Sequence, residues 1–164
     1  MPSTFQPIGH YVPHRRGLLL IDQVLAADDD SAVCELTVRD GLFADADAAV
    51  VPAWVGIEYM AQAIAAWAGV RHARHGSQPR PGFLLGSRRY TAHVSAFPLG
   101  QRLRVTVTCE LLGDNGLGMF ECAILDALSG QPQAEARVSV YEQPENSQPS
   151  LDGKPLPTPR TGQP

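Results

Sequence analysis

The stretch Val51–Val70, VPAWVGIEYMAQAIAAWAGV, decides the fold. It is apolar almost throughout and carries one charge, Glu58, and one side-chain amide, Gln62. A carboxylate in an apolar helix is costly to bury unless it is paired, hydrogen-bonded or protonated. Glu58 and Gln62 are four residues apart, so they share one helical face. Pro52 stands in the first turn, where its missing N–H does no harm. The helix is expected to run to about Arg71. Ala61, Ala65 and Ala68 form a small-residue face suited to close approach to a sheet, with Trp54, Tyr59 and Trp67 elsewhere around the axis. A helix apolar on nearly all sides is wrapped by other elements. Its length would suit a membrane span, but the alanines, Glu58, Gln62 and the sharp Pro52 start argue for a buried core helix.

Working outward, Gln6–Val12 reads as a short segment with one helical turn, ending at Pro13. Leu18–Ala27 reads as a buried strand. Ser31–Arg39 reads as an alternating strand with Val33, Leu36 and Val38 apolar, after an Asp28–Asp30 turn. Asp40–Val50 is an irregular loop. Beyond the helix, Gly76, Pro79 and Pro81 break the chain in a His72–Pro81 loop. Four strands follow: Phe83–Val94, Gln101–Leu112, Leu117–Asp126 and Gln133–Tyr141. Pro98-Leu99-Gly100, Asp114-Asn115-Gly116 and Ser129-Gly130 mark their turns. The sequence after Glu142 is rich in Pro and polar residues, so a single domain over 1–142 and a disordered tail over 143–164 are expected. The order is strand, strand, long helix, four strands. That predicts an α+β fold in which a curved antiparallel sheet is wrapped around one long central helix.

At 164 residues the chain suits one domain with a sizeable core. The net charge is -4, and the basic residues are scattered apart from Arg71, His72, Arg74, His75, Arg80, Arg88 and Arg89. That cluster is either a solvated surface beyond a helix end or a face for a phosphate or an acidic partner. Without interleaved aromatics it makes no case for nucleic acid. Cys34, Cys109 and Cys122 are odd in number, lack C-x-x-C spacing and fall in strand-like runs. They read as reduced core residues, with neither a disulfide framework nor a zinc site. The N-terminal MPSTFQPIGH lacks a basic-then-apolar leader pattern, so a cytoplasmic protein is expected.

Several motifs, taken in order, carry a family resemblance. Tyr11-Val12-Pro13-His14-Arg15-Arg16-Gly17-Leu18-Leu19-Leu20-Ile21-Asp22 resembles the opening L-P-H-R-x-P-x-L-L-[IV]-D of the hot-dog-fold 3-hydroxyacyl-[acyl-carrier-protein] dehydratases. Pro52 followed by Glu58-Tyr59-Met60-Ala61-Gln62 resembles that family's M-P-G-x-x-x-x-E-x-x-A-Q. Phe83-Leu84-Leu85-Gly86 resembles the strand after the helix, and Phe97-Pro98-Leu99-Gly100-Gln101-Arg102-Leu103 its V-x-P-G-D-x-L turn. The likeness spans about Tyr11 to Tyr141. Within the family, V-P-A-W-V-G-I-E-Y-M-A-Q and W-A-G look closest to the dehydratase-like subunits of aryl-polyene biosynthesis clusters.

The resemblance implies a hot-dog fold and a dimer acting on an acyl chain linked through phosphopantetheine to an acyl carrier protein, without metal or cofactor. Dehydration needs a base for the proton alpha to the thioester carbonyl, a donor for the enolate oxygen and an acid for the leaving hydroxyl. In the family a His is the base, an acidic residue on the helix is the acid, and an N–H at the helix N-terminus polarises the carbonyl. Glu58 matches the acid and Gln62 its orienting partner. Pro52, Ala53 and Trp54 at the helix start, with Leu85 and Gly86, match substrate-binding positions. Ala53 replaces the usual Gly. Arg71, Arg74, Arg88 and Arg89 are candidates for docking the carrier protein.

The base is missing. Where the family has G-H-F-P, this chain reads Phe43-Ala44-Asp45-Ala46-Asp47. Asp45 and Asp47 are weak substitutes, as exposed loop aspartates. His14 matches the opening motif, where it is either a structural histidine or a stand-in catalytic one; His10 and His93 have no motif support. Three roles follow: one half of a heterodimer whose partner brings the His, or a homodimer using another base; a non-catalytic subunit that binds the acyl carrier; or an acyl thioesterase using Glu58.

Overall fold

A computed structural model of the chain describes residues 4–13 and 16–144. Its elements in chain order are β1 (Gln23–Ala27), β2 (Ser31–Thr37), β3 (Val50–Pro52), α1 (Gly56–Arg74), β4 (Gly82–Ala92), β5 (Ala96–Pro98), β6 (Arg102–Leu112), β7 (Leu117–Asp126) and β8 (Pro132–Glu142). Six strands form one antiparallel sheet in the order β1-β2-β6-β7-β8-β4, and β3 pairs with β5 in a second, two-stranded sheet. The large sheet curls around α1. This is the hot-dog arrangement the sequence predicts.

Alternation builds the core. Leu103, Val105 and Val107 of β6, Phe120, Cys122 and Ile124 of β7, and Ala134, Ala136 and Val138 of β8 turn inward and are buried. Arg104, Glu121 and Arg137 point to the outer face. Met60, Ala63, Ala66, Trp67 and Val70 of α1 meet the inner face. Ala61, Ala65 and Ala68 are only partly buried. They lie, with Ile57 and Glu58, on the less buried side of the helix, where Ile57, Ala65 and Ala68 still pack against the core. The close approach expected of them is made by Ala63 and Ala66 instead.

The sequence-predicted boundaries shift at both ends of the helix and at three short strands. Only Gln23–Ala27 of the Leu18–Ala27 run is strand, and β1 is an edge rather than a buried strand. The backbone of Leu18–Leu20 is claimed elsewhere, by Gln62 and by Arg39. The helix runs to Arg74 and is closed by Gly76, whose φ of +69 suits the left-handed turn. Ser77 N–H then returns to the His72 carbonyl at 2.9 Å. At the helix start, Pro52 ends β3 instead of standing in the first helical turn, Ala53–Val55 form a 3₁₀ turn and α1 begins at Gly56. β3 and β5, three residues each, carry no strand period and depart from the sequence reading. Among the described residues no helix is long and apolar enough to cross a membrane. His14 and residues 145–164, the greater part of the expected tail, lie outside the described residues.

Candidate functional site

Glu58 and Gln62 meet as their spacing requires. Gln62 Nε2 donates to Glu58 Oε1 at 2.9 Å and to the Leu18 carbonyl at 2.7 Å, while Gln62 Oε1 accepts from Leu20 N–H at 2.8 Å. Gln62 is fully buried, and these bonds use both amide hydrogens and the carbonyl oxygen. The amide thus fixes the Glu58 carboxylate against the Leu18–Leu20 segment. That segment is one wall of a cleft of about 370 Å³, whose other walls include Phe43, Val51 and Tyr59, with Arg39 among them. Arg39 is anchored by an ion pair with Asp22 and hydrogen bonds to the Leu19 and Leu20 carbonyls at 3.3 and 3.4 Å. Burial pushes the Tyr59 hydroxyl up to about 12, with Arg39 working the other way, so at neutral pH it stays a protonated donor. Tyr59, prominent in the sequence only as an aromatic, lines the cleft itself, whereas Glu58 reaches it only through the Leu18–Leu20 wall that Gln62 also holds.

The helix start is gripped through Ala53. Its N–H donates to the Ser95 carbonyl at 3.1 Å, and its carbonyl accepts from the Tyr90 hydroxyl. The Ala53 N–H is therefore already engaged. Pro52 closes β3 against Ala96. Trp54 is 62% exposed and meets Phe43 edge-on at 6.2 Å, outside the buried core. Tyr90 carries no motif, and no signal in the sequence singles it out.

The remaining candidates are dispersed. Leu85 and Gly86 lie on β4 and not in the cleft wall; the register skips Leu85 between the pairs Leu84–Val140 and Gly86–Ser139. The four arginines do not form one face. Arg71 stacks over Trp67 at 4.7 Å and Arg74 donates to the Ala27 carbonyl at 2.8 Å, both near the C-terminal end of α1. Arg88 and Arg89 line a shallow cleft on the outer sheet face, roughly 20 Å further along β4 by strand rise. Asp45 accepts hydrogen bonds from the N–H groups of Asp47 and Ala48 and so shapes its own loop. Of the described histidines, His10 packs on Tyr11, His72 and His75 lie at the C-terminal end of α1, and His93 faces Glu135 at 3.9 Å.

Three further buried groups serve structure. Glu35 is buried on the outer face, paired with Arg102 at 2.7 Å and Arg104 at 3.5 Å. The Arg102 hydrogen bond holds its carboxyl below the usual range. Burial pushes the Cys34 and Cys122 thiols up to about 12, which makes them poor nucleophiles.

No curated protein sequence matches the chain. Among solved structures, the dehydratase heterocomplex ApeI:P from Xenorhabdus doucetiae contains a chain that is 32% identical. That match has a TM-score of 0.77 and covers 86% of this chain and 93% of the other. A hypothetical thioesterase with coenzyme A from Streptococcus pneumoniae TIGR4 is 13% identical with a TM-score of 0.53, covering 74% and 85%. Zebra fish thioesterase superfamily member 2 is 17% identical with a TM-score of 0.54, covering 77% and 83%. These two show the shared hot-dog fold alone. The family model described as ApeP dehydratase matches residues 6–151. With that match over most of the chain, and a 32% identical relative of the same shape, the protein belongs to the ApeP-like dehydratase family.

Proposed function

We propose that this chain is one subunit of a heteromeric hot-dog dehydratase acting on a 3-hydroxyacyl chain borne by an acyl carrier protein, in aryl-polyene-type synthesis. The observation that carries the reading is a half-site. Gln62 joins Glu58 to the Leu18–Leu20 segment that walls the cleft, while the Asp40–Val50 loop contains no histidine to complete an acid–base pair. The relative in the ApeI:P heterocomplex supports a second hot-dog subunit as the source of the missing base.

In this reading the partner's histidine takes the proton alpha to the thioester carbonyl. The electron pair forms the C2–C3 double bond as the C3 hydroxyl leaves, and Glu58 delivers the proton that makes it water. With Ala53 N–H engaged, Trp54 N–H at the helix start is the donor assigned to the enolate oxygen.

Docking of the partner is assigned to β4, an eleven-residue edge strand exposed at every position but Tyr90. Phe83, Leu84 and Leu85 present apolar side chains at 56%, 41% and 59% exposure. An uncovered edge of that length invites strand pairing. Carrier-protein docking is assigned to Arg88 and Arg89, whose positive charge suits an acidic carrier and its phosphopantetheine phosphate.

Incubation of a 3-hydroxyacyl carrier protein with this chain, with the co-encoded ApeI-type subunit, and with both, tests the reading by mass detection of water loss. Turnover is expected from the mixture alone. Glu58→Gln in the complex should lower kcat by about 10²- to 10⁴-fold, the usual worth of a general acid. Turnover by the pure chain excludes the obligate heteromer, turnover that survives Glu58→Gln excludes Glu58 as the acid, and release of free acid indicates thioester hydrolysis.

A further inference from the structure

We infer that Tyr90 is a positioning residue that links the docking edge β4 to the geometry of the helix start, and through it to Trp54 N–H and Glu58. The inference rests on β4 being the partner's docking edge and adds a device by which docking is felt at the site.

β4 is irregular near its C-terminal end. Pairing with β8 runs Arg88–Arg137 and then Thr91–Glu135, so Arg89 and Tyr90 of β4 face a single residue of β8. Arg89 has φ +57, a left-handed conformation that costs energy in a non-glycine residue and persists where the surroundings impose it. Bulges of this kind re-aim a side chain. Here the re-aimed side chain is Tyr90, the one half-buried residue in an otherwise exposed strand. Its hydroxyl crosses to the Ala53 carbonyl, and its oxygen sits against Gly56, where a β-carbon would leave it no room.

The same chain segment returns at Ser95 to accept the Ala53 N–H. Both backbone polar groups of Ala53 are therefore held by β4 and the turn that follows it. Ala53 opens the single 3₁₀ turn that runs directly into α1. A displacement of β4 on strand pairing is thus transmitted to the turn bearing Trp54 and to the first helical turn bearing Glu58. Burial pushes the Tyr90 hydroxyl up to about 12, so it remains a donor at any ordinary assay pH.

Tyr90→Phe removes the hydroxyl and keeps the ring, and thermal unfolding of the variant monitors its fold. Amide hydrogen exchange is followed in wild type and variant, with and without the co-encoded ApeI-type hot-dog subunit, beside steady-state dehydration by each complex. In both proteins the partner should protect amides 82–88 of β4. Over residues 54–58 the added protection should be about fivefold to tenfold greater in wild type than in Tyr90→Phe, the factor one neutral hydrogen bond supplies. Water-loss kcat should fall by about the same factor with KM unchanged, because substrate binding does not use the hydroxyl. Equal protection of 54–58 in the two proteins, with β4 protected, overturns the link and leaves the docking assignment standing. Absence of β4 protection overturns both.

Discussion

At its C-terminal end α1 is fastened by several independent bonds. His72 Nε2 meets Glu142 Oε1 at 3.0 Å and its Nδ1 meets Ser77 Oγ at 2.9 Å; Arg74 reaches the Ala27 carbonyl, and Gly69 lies against the Tyr11 backbone. At the N-terminal end the hydrogen bonds that tie the preceding turn to β4 and the segment after it pass through one residue, Ala53, and Trp54 stands in the open against Phe43 of the cleft wall. The bonds at the far end join α1 to β1, β8 and the N-terminal segment, so loosening them loosens the whole fold. Those at the near end act on one turn. The contrast assigns stability to one end and adjustable geometry to the other, the division expected where a rigid scaffold presents a site.

The strongest attack on this contrast is a matched pair of substitutions. A β-carbon at Gly69 would stand 2.8 Å from both Tyr11 Cα and Tyr11 Cβ, and closer still to the Tyr11 carbonyl oxygen. Backbone cannot yield as a side-chain tip does, so Gly69→Ala must lift the segment around Tyr11 from the helix. A loss of about 3 kcal/mol in urea unfolding is expected. At Gly56 the added carbon meets the Tyr90 hydroxyl and Ile124 Cδ1, the latter at 2.9 Å, both ends of side chains. Gly56→Ala should cost about 1 kcal/mol, yet reduce water-loss activity more than Gly69→Ala does. The opposite ranking in both measurements would break the division of labour.

A smaller effect is expected from His72→Ala. It severs the hydrogen bonds to Glu142 and Ser77, worth about 1–2 kcal/mol in urea unfolding. Dehydration by the complex should be unchanged at a temperature where the variant is folded. A fall in kcat without a fall in stability would place His72 in the chemistry, and the two ends would no longer differ.

The sequence made the far end easier to read than the near end. Helix, hairpins and core strands follow from periods and turn residues that act locally: the apolar run of α1, the Asp114-Asn115-Gly116 turn and the inward alternation of β6 and β7. Glu58 and Gln62 were legible because four-residue spacing fixes their meeting without tertiary information. Tyr90 was not, because a bulge changes which face a residue occupies, and strand period alone cannot register it. The fate of Ala61, Ala65 and Ala68 was misread for a related reason. Small residues permit close packing but do not say which side of a helix the sheet will cover. The four arginines looked like one cluster because they are near in sequence, whereas the length of β4 separates them.

The finest test of the contrast is Trp54→Ala. With the side chain 62% exposed, its removal takes little apolar surface from the core, and the edge-on contact with Phe43 joins it to a loop. Stability should change by no more than about 0.5 kcal/mol. If the open end serves substrate, the ring is in place to pack against the acyl chain, and its loss should raise KM for the acyl carrier substrate by about threefold to tenfold, the worth of one aromatic contact. The backbone N–H of residue 54 survives the substitution, so kcat should change less than KM. A kcat loss with KM intact would instead assign the ring to the geometry of the turn, alongside Tyr90. A substantial loss of stability would show that the N-terminal end also carries fold, and that α1 is clamped at both ends.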